Sequence, residues 1–288
     1  MTPCSTPSDL VERNSFVELE ARGRVRALLD AGSFRELIDP FPRVTSPWLA
    51  RQGVVTQSDD GVVVGKGIVD GHPAIVLAIE GAFQGGSLGE VGGAKIAGSL
   101  ELAADDNRKG VPTRAIIVFE TGGVRLQEAN LGLAAIAEIH SALVDLRRYQ
   151  PVVGVIAGGV GCFGGMSIAA GLCSYLVVTR EARLGLNGPQ VIEQEAGIAE
   201  FDSRDRPFIW SFTGGEHRHR TGLVDAFVDD DTHQIRHTVI DLLARGRPAL
   251  ERSDQYKRYL ERLSAYDARV QATPEIVRQI YATESDHE

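Results

Sequence analysis

Residues 151–172 read PVVGVIAGGVGCFGGMSIAAGL, and this stretch decides the fold class. Residues 151–157 are a short apolar, β-branched run, the signature of a buried strand. Residues 158–165 supply a glycine turn, and 166–172 have the composition of a short helix. The same order stands upstream. Residues 115–119 form a β-branched run that ends in Thr121-Gly122-Gly123, with a helix expected over about 127–148. Strands are also expected at 61–69, 73–79, 175–179 and 182–186, and an amphipathic helix over about 94–107. Strands alternating with helices specify an α/β fold with crossover connections. Residues 1–50, broken by Pro40, Pro42 and Pro47, read as a helical and irregular lead-in, and the chain beyond 200 as mostly helical.

A strand–glycine–helix turn leaves backbone N–H groups unpaired at a helix start. Without side chains in the way, a ligand oxygen can approach them closely. Such a site holds a phosphate, or a charge that develops only in the transition state. Two loops qualify: Glu120-Thr121-Gly122-Gly123-Val124-Arg125 and Gly161-Cys162-Phe163-Gly164-Gly165-Met166. Their glycines would also serve simply to let helix pack on strand.

Composition narrows the chemistry. The chain has 288 residues, 43% of them apolar, enough for a sizeable core without staples. A formal net charge of −9 argues against an extended phosphate-binding surface. No apolar run reaches the roughly 18–20 residues of a membrane span, the N-terminus lacks signal-peptide order, and a cytoplasmic address is expected. Cys4, Cys162 and Cys173 form no C-x-x-C, so neither a zinc ribbon nor a disulfide framework is expected. Cys162 and Cys173 read as buried thiols.

Other patterns carry less. Residues 159–164 fit G-x-G-x-x-G, with Glu181 beyond, but only a short helix follows. Gly165-Met166-Ser167-Ile168-Ala169 resembles a nucleophile elbow with Ala in place of the last Gly, which leaves a Ser167 hydrolase open. His217-Arg218-His219 reads as a solvated segment. His233 and His237 are one helical turn apart, but no third ligand is evident, and no metal is expected. Asp105-Asp106 reads as a helix end and Asp229-Asp230-Asp231 as a solvated turn.

Five short words together resemble the acyl-CoA carboxyltransferase family: Ser33-Phe34-Arg35-Glu36-Leu37 with Asp39-Pro40-Phe41; Gln84-Gly85-Gly86-Ser87-Leu88-Gly89; Gly93-Ala94-Lys95; Thr121-Gly122-Gly123-Val124-Arg125-Leu126-Gln127-Glu128; and Gly188-Pro189-Gln190-Val191-Ile192-Glu193-Gln194. They run in order from about 33 to 230. The resemblance implies a crotonase-like (ClpP/crotonase) fold, a superhelix of repeated ββα units. It also implies an N-type carboxyltransferase domain over 51–230, a helical lead-in over 1–50, and a C-terminal helical region over 231–288 that packs on the domain or a partner.

Within the family the words most resemble the beta subunits of biotin-independent malonate decarboxylases. That implies four things about assembly: a homologous gamma subunit, an acyl carrier (delta) subunit bearing a CoA-like phosphopantetheine arm, an acyltransferase (alpha) subunit, and no cofactor bound directly by this chain. The reaction implied is decarboxylation of a malonyl thioester through an oxyanion-stabilised enolate. Gly123, Val124, Gly164 and Gly165 form the oxyanion site in this comparison, with the N–H groups of Val124 and Gly165 as donors. Gly122, Arg125, Phe163 and Met166 are expected around the substrate; Arg125 would contact the arm or brace the loop. Gln190 replaces an arginine usual in the carboxylases. The alternatives are a carboxyltransferase subunit of a biotin-dependent enzyme, or a scaffold that completes its partner's site.

Overall fold

The computed structural model describes residues 13–267 and 269–281; Cys4 lies outside them. In chain order the helices are α1 (Ala21–Leu28), α2 (Pro47–Arg51), α3 (Glu90–Arg108), α4 (Asn130–Leu146), α5 (Gly165–Leu172), α6 (Pro189–Ala196), α7 (Arg206–Thr213), α8 (Gly215–Arg220), α9 (Thr232–Ala244), α10 (Tyr256–Ser264) and α11 (Pro274–Tyr281). The strands are β1 (Arg35–Leu37), β2 (Val62–Val69), β3 (His72–Ile79), β4 (Arg114–Phe119), β5 (Val152–Ile156), β6 (Tyr175–Thr179) and β7 (Ala226–Val228).

All seven strands form one sheet in sequence order. β1, β2 and β3 pair antiparallel, and every pair from β3 to β7 is parallel. Each central strand is buried on both faces, which is why it reads as an unbroken apolar run. Alternation assigns the faces. Ile75, Leu77, Ile79, Ile117 and Phe119 pack with Ile96, Leu100, Ile136 and Ile139 of α3 and α4. Val76, Ala78, Ile116 and Val118 pack with Val25 and Leu28 of α1 and with Ile235 and Val239 of α9. The core therefore crosses both 50 and 230.

After β4, β5 and β6 the second strand of each ββα unit shrinks to single bridges: Leu88 with Val124, Thr121 with Cys162, and Cys162 with Leu184. These bridges replace the strand expected at 182–186. The three-residue strands β1 and β7, at the sheet edges, carry no period long enough to stand out in sequence.

α3 starts four residues before its expected position, at Glu90. Its first turn is capped from outside: Glu128 accepts from the Glu90 N–H (2.7 Å) and Asp60 from the Gly92 N–H (2.8 Å). A Cβ on Gly93 would stand 2.3 Å from the Ala135 Cβ, so glycine lets α3 and α4 touch. Asp229-Asp230-Asp231 is not a solvated turn. Asp230 accepts from the N–H groups of Phe16 (2.8 Å) and Val17 (2.9 Å), and Asp231 caps α9 through the Gln234 N–H. These bonds tie the lead-in to the far end of the sheet.

Candidate active site

The two glycine loops meet at the carboxyl ends of β4 and β5. Thr121 N–H donates to Gly161 O (2.7 Å) and Phe163 N–H to Thr121 O (3.0 Å). Gly123 and Gly164 lie against each other: a Cβ on Gly123 would stand 3.0 Å from the Gly164 Cα, and one on Gly164 3.2 Å from the Gly123 Cα. Both have positive φ, +106° and +60°, so these positions favour glycine on conformation as well as contact.

Most N–H groups in the two loops are used. Gly122 donates to Gly85 O (2.9 Å), Gly123 to Thr121 Oγ1 (3.0 Å) and Gly164 to Leu186 O (2.7 Å). Among the described residues, the N–H groups of Val124 in the first loop, and of Gly165 and its neighbour Met166 in the second, have no acceptor. The local geometry explains both loops. Leu88 N–H donates to Gly123 O, and Arg125 N–H donates to Leu88 O, each at 2.8 Å. The groups flanking Val124 thus turn toward Leu88, and its own N–H turns the opposite way. A Cβ on Gly164 would stand 3.8 Å from that nitrogen. Gly165 is the first residue of α5, where no intrahelical acceptor exists and the helix dipole adds positive potential. Gly123 and Gly164 therefore form the contact between the loops, and the unpartnered N–H groups of Val124 and Gly165 lie beside it.

Arg125, Met166 and Phe163, expected around the substrate, are all buried. Arg125 is 1% exposed. Its guanidinium pairs with Asp60 (2.7 Å) and Glu128 (3.0 Å) and donates to Ser87 O (2.7 Å). Because those carboxylates cap α3, Arg125 pins the first loop to the α3 N-terminus and braces it from inside. Burial raises the Asp60 pKa, with the Arg125 charge acting in the opposite direction. Met166 is fully buried, because the second residue of α5 turns into the core. Phe163 is 5% exposed beneath the Arg183 guanidinium. Gly122 is exposed beside the donors.

Ser167 gives no sign of activation. Its hydroxyl donates to Gly164 O (2.7 Å), an ordinary turn contact. Cys162 and Cys173 are buried as expected; burial raises both thiol pKa values, that of Cys173 to about 12. Lys95, from the Gly93-Ala94-Lys95 word, is a buried clamp that donates to the carbonyls of Asp59 (3.0 Å) and Val62; burial lowers its pKa. Glu120 is ion-paired with Arg24 in space left by Gly81 and Gly158. No group of three His, Cys, Asp or Glu residues suited to a metal lies among the described residues.

His217 is also corrected. It lies on the inner face of α8, 5% exposed, and neither ring nitrogen has a partner. Burial, then the charges of Arg218, Arg278 and Arg220 against that of Glu275, lower its pKa from 6.5 to about 4. A folded-state pKa below the unfolded value means that stability is lost as pH falls through 6.5 toward 4. Between pH 7 and 5 this amounts to about 2 kcal/mol. Denaturant titrations at the two pH values should show a shallower loss in His217→Phe by about that amount. Equal losses in the two proteins would contradict the assignment.

The carboxyl transferase domain profile matches residues 15–276. The chain belongs to the carboxyl transferase domain family. Among its relatives is a Malonomonas rubra protein described as malonyl-S-ACP:biotin-protein carboxyltransferase. That protein is 38% identical over 251 residues, 84% of this chain and 79% of the relative. A chain in the crystal structure of a Pseudomonas malonate decarboxylase hetero-tetramer in complex with malonate is 68% identical. It superposes with a TM-score of 0.93 over 96% of this chain and 100% of its own length. A chain of a Pseudomonas malonate decarboxylase hetero-dimer is 63% identical, with a TM-score of 0.76 over 88% of this chain and 98% of the other. The fold of this carboxyl transferase domain is crotonase-like, with ββα units stacked as the sequence implied.

One candidate was missed in the sequence. His140 on α4 places Nε2 2.9 Å from Gly165 O, directly behind one of the two donors. The sequence signal was a single imidazole in a helical stretch that also carries Glu138, Ser141 and Asp145.

Proposed function

We propose that this chain is the beta-type subunit of a biotin-independent malonate decarboxylase. The observation that carries the proposal is the pair of unpartnered N–H groups, Val124 and Gly165, brought together by contact between two glycines. The substrate is a malonyl thioester on a carrier-borne CoA-like arm. The C2–C3 bond breaks, CO2 leaves, and the electron pair passes into a thioester enolate whose oxygen takes most of the charge. Two donors fixed beforehand at that oxygen lower the barrier, each by roughly 3–4 kcal/mol. No base is needed to form the enolate. A proton delivered to C2 by water or a side chain completes the acetyl thioester.

The site is proposed to be half of a cleft closed by a homologous gamma subunit, with the acyl carrier delivering substrate and an acyltransferase subunit loading it. Similarity to chains of a Pseudomonas hetero-tetramer and hetero-dimer supports this. So do the exposed apolar side chains beside the loops: Leu126 and Leu186, next to the two donor segments, are 83% and 59% exposed. In the region after 231, α9 packs on the sheet and α11 lies against α8, whereas the outer faces of α10 and α11, which contain no buried residue, are left for a partner.

The similarity to a biotin-protein carboxyltransferase favours a second reading, in which CO2 passes to biotin. One experiment separates them. The chain is co-purified with its partner subunit, and CO2 release from the malonyl carrier is measured with and without avidin. The expected result is avidin-insensitive release by the pair and almost none by the single chain. Avidin-sensitive release supports the second reading, and full activity of the single chain contradicts the half-site.

A further inference from the structure

We infer that His140 is a positioning residue that fixes the spacing of the two oxyanion donors. The inference rests on the decarboxylase reading above. Gly132, Ile136 and His140 lie at i, i+4 and i+8 on one stripe of α4. Each touches the candidate site. A Cβ on Gly132 would stand 3.1 Å from Val124 Cγ1 and 3.2 Å from Arg125 O, so the helix backbone abuts the first loop. Ile136 Cγ2 lies 2.9 Å from where a Gly165 Cβ would be. His140 Nε2 lies 2.9 Å from Gly165 O. One rigid helix thus supports both donor segments.

The proton in the His140 contact is fixed by chemistry. A carbonyl oxygen only accepts, so Nε2 carries the hydrogen and donates. The acceptor belongs to the peptide between Gly165 and Met166, in the first turn of α5. The N–H on the other side of that peptide, that of Met166, likewise has no acceptor among the described residues. Holding the carbonyl against α4 sets the tilt of the α5 first turn, and with it the direction of the Gly165 N–H relative to that of Val124. The group acts through Gly165 and never touches substrate. Its effect belongs to the transition state, where preorganised donors matter most.

The test uses the assembled complex. His140→Ala is expected to lower kcat about tenfold, less than loss of a whole donor, with KM for the malonyl thioester unchanged. Affinity for a nitronate analogue of the enolate should fall in parallel, while that for an unreactive malonyl thioether should not. His140→Gln, which keeps an N–H donor, should recover most of the loss. A purely structural role would move both affinities together and would not be rescued by the donor. Wild-type kcat and nitronate affinity in His140→Ala, or no recovery in His140→Gln, overturns the inference and leaves the decarboxylase reading standing. A wild-type complex that releases no CO2 overturns that reading, and the inference with it.

Discussion

Gly165→Val is expected to lower kcat by about a hundredfold or more, the scale of one lost oxyanion donor. The structure gives the route. The Gly165 φ is not in the left-handed region, so valine is not excluded by backbone strain. Its Cβ would stand 2.9 Å from Ile136 Cγ2, so α5 must back away from α4 and carry the Gly165 N–H with it. The added side chain points into helix packing and not into the open cleft. Overpacking of this kind costs about 1–3 kcal/mol, and a lower Tm is expected alongside the kinetic loss. Gly165→Val with Ile136→Ala should therefore regain stability, because the second change removes the opposing methyl groups. Wild-type kcat in a folded Gly165→Val complex would exclude Gly165 as a donor.

Arg125→Met is expected to destabilise the chain by about 3–5 kcal/mol, the range for removing one partner of a buried ion pair. Methionine roughly fills the volume but leaves Asp60 and Glu128, 1% and 0% exposed in their side chains, as two carboxylates without their cation. Both also cap the α3 N-terminus, so their displacement loosens the helix start and the first loop together. Arg125→Lys should recover only part of the loss, since an ammonium cannot span Asp60, Glu128 and Ser87 O as the planar guanidinium does. Denaturant midpoints for the three proteins check this. A midpoint near wild type for Arg125→Met, with weakened carrier binding, would instead place Arg125 at the arm.

The parts of this fold that were legible in sequence share one physical cause. β3 to β6 are buried on both faces and therefore read as short apolar runs, and each glycine turn after them marks a place where two backbones meet. β1 and β7 stayed hidden because three residues at a sheet edge need no apolar pattern. The start of α3 stayed hidden because Gly92 and Gly93 look like loop residues until Ala135 comes against them.

That the two glycine loops leave N–H groups unpaired was legible from strand–turn–helix geometry, and the proposal of Val124 and Gly165 as donors came through the resemblance. For Arg125 the bracing role was one of two readings open in the sequence, because its partner Asp60 is 65 residues away and the ion pair exists only in the folded chain. His217 was misplaced for a related reason. A helix of eight or fewer residues shows too little of its period to say which face turns inward. His140 was overlooked because its partner is a carbonyl group, which leaves no mark on the sequence.

Side-chain changes at the two loops always alter packing as well as donors. Replacing the residue 165 amide by an ester, with glycolate in place of glycine, removes the N–H and adds no atom toward Ile136. CO2 release from the malonyl carrier by the assembled complex is the measurement. Two N–H groups that stabilise a thioester enolate predict a fall in kcat of about a hundredfold, with KM and Tm close to those of the wild type. An ester complex that folds, pairs and decarboxylates at the wild-type rate would contradict the account.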